Sequence, residues 1–398
     1  MKKFLSLLLV LLMVVSLVAC GSEKEPAKTP EKTDTPEKFT PETIPAEKVN
    51  PRDVVVDYMY EMANIKWTPA EDIDSTQVHS SLYYKKGETY YGIMYVTGSR
   101  TLTDADEFRE QLDENGVYTG PANAQSGFGN HCSSAIRLAY DQVSTSVKFG
   151  YTGEMIPMKN KGMLPLGNYK HENAYQTSYG IFDANPDKNV FIEGYALLQK
   201  GDAILTCWPK ANDPNSAETG HARMILSVDI VKTAAGKINP HKSTVTTIEQ
   251  TSSFDKQAKD GINTTWYVEH VYTFNDLLED KYIPLTIEAF NETPETTEFS
   301  VKSVNTAKNV TSGHLRGVIR STYLPIKSVT AEVLDANGDV VVSQTIKNPP
   351  QDPTVFQFNN AKADEGFTTL EAGSYQYTIT VNTTYGSAKV HQIDFTVE

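Results

Sequence analysis

Apolar residues fall into three different spacings along the 398-residue chain. Phe4 to Ala19 is an apolar run interrupted only by Ser6 and Ser16, residues 51–140 carry helical spacing, and the chain after Ala203 is dominated by strand-like alternation. In "PRDVVVDYMYEMANIKW" the apolar positions Val55, Tyr58, Met59 and Met62 share one helix face, with Pro51 in the first turn and Asp53 near its positive end. "TLTDADEFREQLDEN" predicts a shorter helix capped by Thr103 or Asp104. A third opens at Cys132 in "GNHCSSAIRLAY", after Gly127 and Gly129. "FIEGYALLQKGDAIL" then turns into a strand, and "HARMILSVDIV", "STVTTIEQ" and "YIPLTIEAF" read as strands. Helices first and strands later predict an α+β fold with an antiparallel sheet over residues 51–290.

The segment 291–398 differs in kind. "SVTAEVLDANGDVVVSQTI" is two alternating runs joined at Asn337-Gly338, a hairpin signal, and "GSYQYTITVNTTYGSAKVHQIDFTV" is a second hairpin turning near Tyr385-Gly386. "HLRGVIRSTY" adds another strand. Short strands at regular spacing predict an all-β sandwich, and the segment resembles bacterial Ig-like domains.

Charge and cysteine usage narrow the function classes. The formal net charge of -14 argues against a nucleic-acid partner, which calls for basic patches. Three cysteines (Cys20, Cys132, Cys207) without CxxC spacing are too few for a disulfide framework and do not form a structural metal site, so no metal or other cofactor is expected. Lys2 and Lys3 before the apolar run have the form of a secretory signal. Its end, Leu17-Val18-Ala19-Cys20-Gly21-Ser22, resembles the lipobox of bacterial lipoproteins. That resemblance implies cleavage before Cys20, lipidation of its thiol, and attachment to the extracytoplasmic face of the cell membrane. Residues 1–20 are then the signal. Residues 21–50, with five prolines among Glu, Lys and Thr, are a solvated tether.

The remaining cysteines are weighed by context. Cys132 opens a helix, where the N-terminus favours a thiolate and the first-turn amides can stabilise an oxyanion. Cys207 follows Ala203-Ile204-Leu205 and reads as a core residue, although a Cys132–Cys207 disulfide is possible in an oxidising compartment. A nucleophilic thiol needs a base and the base an orienting partner. Among eight histidines, His221 stands at the start of a strand. It shares the more polar face with Arg223, Ser227 and Asp229, opposite Ala222, Met224, Leu226, Val228 and Ile230. Arg223 is therefore a candidate for holding a substrate carboxylate. With the hairpin turn centred near residue 237, the return strand brings Glu249–Ser252 beside His221. Glu249 is the first choice as orienter and Gln250 the second, because a one-residue slip exchanges their faces. His241 sits in the turn and is too far away. His131 neighbours Cys132 in sequence and is expected to face elsewhere on the helix. Trp67, Trp208 and Trp266 read as core or groove wall.

"HCSSAIRLAY", "LQKGDAIL", "GHARMI" and "TTIEQTS", in that order, resemble the motifs of NlpC-type and CHAP-type cell-wall hydrolases over residues 51–290. The resemblance implies a papain-like catalytic domain, Cys132 as nucleophile, His221 as base, Glu249 as the acidic residue and peptidoglycan stem peptides as substrate. "MYVTGS" resembles the stretch in which a family tyrosine assists, making Tyr95 a candidate. Three features depart from the family pattern. His131 replaces an Asp, Met94 and Thr97 replace Pro and Trp, and "GNYKHENAYQTSYGIFDANPDKN" is an inserted lobe that bears on bond specificity. The rival readings are a surface binding lipoprotein with a degenerate catalytic domain, and a transglutaminase-like acyl transferase.

Overall fold

The computed structural model describes residues 39–398 except 46–49, 77–81, 124, 158, 160–162, 173–175, 212, 292–295, 303 and 348–354. Cys20 and most of the segments read as signal and tether lie outside the described residues. No helix among those described is long and apolar enough to cross a membrane.

Among the described residues strand outweighs helix, at 38% against 19%, and the strands fall into six sheets. The expected α+β, papain-like class is therefore overturned: the chain is predominantly β. The helical signals are real but brief. Helix α1 (Pro51–Ala63) is capped by Asn50, whose side chain accepts from the Arg52 amide, and it buries Val55, Val56, Met59 and Met62. Helix α2 (Ala105–Arg109) has Asp104 and Glu107 in a capping box and stops after five residues. Helix α3 (Cys132–Tyr140) is buried along its whole length. Between them lie two-residue strands such as Tyr83–Tyr84 and Tyr90–Tyr91. They are held by aromatic packing rather than by long ladders. The Trp67 ring has Tyr84, Tyr90, Phe108 and Tyr118 around it, at centroid distances of 5.4 to 5.6 Å. Each such pair contributes about 0.5–1.5 kcal/mol beyond its buried area.

The sheet that positions the candidate site has six strands: β1 (Met163–Pro165), β2 (Ala203–Lys210), β3 (Asp213–Asp229), β4 (Thr244–Gln250), β5 (Trp266–Thr273) and β6 (Ile283–Ile287), in the order β5-β4-β3-β2-β6-β1. All its pairings are antiparallel. The turn before β2 ties the helices to it. The Arg52 guanidinium and the Thr286 hydroxyl both donate to Asp202 Oδ1, at 2.9 and 2.6 Å, and the Tyr140 hydroxyl donates to the Gly201 carbonyl at 3.0 Å. Removing one partner of this buried carboxylate would leave it short of donors, so the turn holds α1, α3 and the sheet in one register.

Residues 299–397 form two sheets around a second core. β7 (Phe299–Lys302), β8 (His314–Ser321) and β11 (Val355–Lys362) pair in the order β7-β8-β11. β9 (Ser328–Leu334), β10 (Val340–Lys347), β12 (Gly373–Thr383) and β13 (Gly386–Val397) pair as β10-β9-β12-β13. Gly338, at φ 87°, supplies the left-handed residue of the β9–β10 turn. Leu315, Ile319, Val329, Val333 and Tyr377 fill the space between the sheets. Tyr385 packs against both cores, and the Lys327 ammonium donates to the Asp141 carbonyl at the end of α3, at 3.4 Å.

Candidate functional site

His131 precedes α3 in extended backbone, φ -133° and ψ 178°, and caps it: its Nδ1 accepts from the Ser134 amide at 3.3 Å. The Ser134 hydroxyl accepts in return from the His131 amide at 2.7 Å, completing a capping box. The next residue, Cys132, therefore begins the helix with its thiol at the positive end of the dipole. Cys132 is 6% exposed, and its Sγ lies 4.0 Å from the Gly220 carbonyl oxygen of β3. Gly220 is required there. A Cβ would stand 2.3 Å from the Thr206 carbonyl and 2.7 Å from Thr152 Oγ1, so only glycine lets β2 and β3 close up beneath the thiol.

One residue on, His221 pairs with Thr206 across the β2–β3 ladder. Its Nε2 is hydrogen-bonded to Glu249 Oε2 on β4, leaving Nδ1 as the free ring nitrogen. The imidazoles of His131 and His221 both act on the thiol electrostatically. Burial pushes the Cys132 thiol up, but the imidazoles of His131 and His221 more than reverse this and bring it to about 5. For His221, burial disfavours the cation, and the Glu249 charge with the Cys132 and Glu249 bonds outweighs it, raising the imidazole to about 9. Burial acts against ionised Glu249 too, yet His221 and Arg223 lower it to about 2. Between pH 5 and pH 9 the favoured state is thiolate, imidazolium and carboxylate in a row.

Glu249 is 1% exposed and fully engaged. Besides His221 it accepts from Arg223 Nε at 2.8 Å on Oε2 and from the Tyr272 hydroxyl at 2.8 Å on Oε1. The Arg223 guanidinium lies over the rings of Tyr272 and Tyr282, at 3.8 and 4.5 Å. Arg223 is thus bound through Nε to the orienting carboxylate. Tyr272 reaches Glu249 because of a bulge. Ile248 pairs with Val268 and Thr247 with His270, so Glu269 is an extra residue that shifts the phase of β5 by one.

The remaining sequence candidates are placed as follows. Gln250 donates to the Ile93 carbonyl at 2.8 Å, on the other side of β4 from Glu249. Tyr95 bridges to Asn130, next to His131; burial first and then the Cys132 charge hold its phenol above the usual range. Cys207 is fully buried and its Sγ accepts from the Ser178 amide at 3.2 Å, while burial pushes its thiol up. Cys132 and Cys207 are both free thiols. Trp67 and Trp266 are buried, and Trp208 is 38% exposed. His131, expected to face away, instead turns its ring back over the first turn as the cap of α3 and is one of the groups that lower the thiol. The signal that could have found it is its place as N-cap, outside the helix's own 100° progression.

No family model and no curated protein matches the chain. Solved structures with partial likeness include CopC from Methylosinus trichosporium OB3b, 20% identical over 21% of this chain and 74% of that one, with a TM-score of 0.15. A DUF3244 family protein from Bacteroides vulgatus, with an immunoglobulin-like β-sandwich fold, is 18% identical over 26% of this chain and 96% of its own, with a TM-score of 0.13. The tetra-tandem repeat in the extending region of a large adhesion protein is 14% identical over 50% of this chain and 42% of its own, with a TM-score of 0.20. Likenesses at these TM-scores carry no argument about this chain's fold or activity.

Proposed function

We propose that the protein is a cysteine hydrolase of peptide or amide bonds, lipid-anchored through Cys20 and working outside the cytoplasm. The observation that carries the proposal is the line Cys132–His221–Glu249, a buried thiol at a helix N-terminus beside an imidazole that a buried carboxylate orients. The Cys132 thiolate attacks the scissile carbonyl carbon, and the carbonyl electron pair moves onto oxygen. The first-turn amides of α3 are the donors available to that oxyanion. His221 gives its proton to the leaving nitrogen as the C–N bond breaks, leaving a thioester on Cys132. Neutral His221 then takes a proton from water, hydroxide adds to the thioester carbon, and expulsion of the thiolate releases the acid and restores the ion pair. Glu249 keeps the ring orientation and stabilises the imidazolium throughout.

The order of the Cys, Gly-Asp, Gly-His and Glu-Gln motifs supports peptidoglycan stem peptides as the substrate. Incubation of purified cell wall with the parent protein and with Cys132→Ala tests this. Release of new amino groups by the parent alone supports the reading. Equal release by both proteins removes Cys132 from the chemistry, and no release by either removes the wall substrate.

A further inference from the structure

The bulge that brings Tyr272 to Glu249 leaves a residue without an explanation. Glu269 sits at φ 61°, in the left-handed region, where glycine is unstrained and a long side chain is not. Any residue would complete the bulge, so the presence of glutamate at a strained position points to a use for its carboxylate. Its contacts within the chain are weak. The Tyr60 hydroxyl donates from 3.5 Å, and the Lys259 ammonium, on a side chain 84% exposed, lies 3.7 Å away.

Glu269 stands at a cavity of about 270 Å³ between the end of α1, the loop 255–264 and the edge strand β5. Its walls include Tyr60, Tyr91, Ile262, Trp266 and Val268. None of these residues belongs to the Cys132 constellation, and the cavity is large enough for a ligand of several heavy atoms. The second carboxylate on its lining, Asp255, is bound to His270 Nε2 at 3.0 Å, and the nearby cation, Lys259, is free to swing into solvent. Aromatic faces beside a carboxylate attract a cation and repel an anion.

We propose that this cavity binds a primary ammonium group carried on a short apolar stem, with the ammonium on Glu269 in the place Lys259 now occupies and the stem against Tyr60, Tyr91 and Val268. The site does not depend on the thiol chemistry, so its test uses the full chain carrying Cys132→Ala and reads binding rather than turnover.

The probes are n-butylammonium chloride, n-butanol and sodium butanoate, titrated against the protein by ligand-observed NMR with the melting temperature recorded in parallel. Saturable binding of butylammonium, about tenfold tighter than butanol and with butanoate excluded, is the expected result. Glu269→Gln should weaken butylammonium about tenfold while leaving butanol unchanged. Glu269→Gly should do the same at an undiminished melting temperature, because relief of strain offsets the added chain entropy. Lys259→Met should tighten butylammonium by removing its competitor. Equal binding of butanol and butylammonium, absence of saturable butylammonium binding, or parent-like binding by Glu269→Gln overturns the proposal.

Discussion

Among the described residues two histidine–carboxylate pairs stand on this sheet, and one of them has the makings of a catalytic centre. His270 Nε2 bonds Asp255 Oδ2 at 3.0 Å, with the Tyr267 ring 4.6 Å from the imidazole. His221 bonds Glu249, and its other nitrogen is left for Cys132. The pairs are alike in chemistry and differ in what the free face of the ring meets: a phenol ring in one case, a thiol at a helix N-terminus in the other. A histidine–carboxylate pair is therefore common structural currency, and the third member gives it a reaction.

The sharpest way to break the comparison is to delete each imidazole in turn. Cys132→Ala and His221→Ala should each lower amide hydrolysis by about 10⁴-fold or more, since members of such a unit fail together. His270→Ala should leave hydrolysis nearly unchanged and act on stability alone. Steady-state rates beside melting curves check both halves.

Neutralising the carboxylates comes next. Glu249→Gln should reduce kcat/KM by about 10–100-fold, because the ring loses its orienter and the imidazolium its counter-charge. Asp255→Asn should again spare catalysis. Arg223→Met gives a smaller effect with an informative sign. Arg223 shares Oε2 of Glu249 with His221 and places a positive charge nearby. Removing it favours the imidazolium, so the high-pH limb of the hydrolysis profile should move up from about 9 by about one unit. A downward shift would assign Arg223 to substrate binding instead. The smallest effect belongs to Tyr272→Phe, which withdraws one donor from a buried carboxylate and should lower stability by about 1–3 kcal/mol with a modest loss of rate.

How much of this could be read from the chain depends on the range of the forces involved. The sandwich hairpins were legible because strict alternation and Asn337-Gly338 are local signals. Glu249 was legible because a single turn sets the β3–β4 register: Met224 pairs with Ile248 and Thr244 with Asp229. The alternation along β3 was read as unbroken, yet Ser227 pairs with Thr246 and Ile225 with Thr247, so Leu226 is bulged out. The bulge at Glu269 was equally hidden, and with it the approach of Tyr272. Strand exceeds helix among the described residues chiefly through the sheets of residues 299–397; the small strands around Trp67 escaped notice because two-residue strands have no measurable period. They exist because rings gather around Trp67, a tertiary effect. His131 was misplaced by treating it as a helical residue, when its extended backbone turns the ring back over the first turn.

The central claim is that Cys132 is a thiolate held by His221, and the rate of its alkylation against pH tests that most directly. Iodoacetamide labelling, quantified by mass spectrometry of the Cys132 peptide with buried Cys207 as the internal reference, gives the profile. A half-maximal rate near pH 5, moving up in His221→Ala while His131 still acts on the thiol, is the predicted result. A midpoint near about 8.5 in the parent protein, unmoved by His221→Ala, would contradict it.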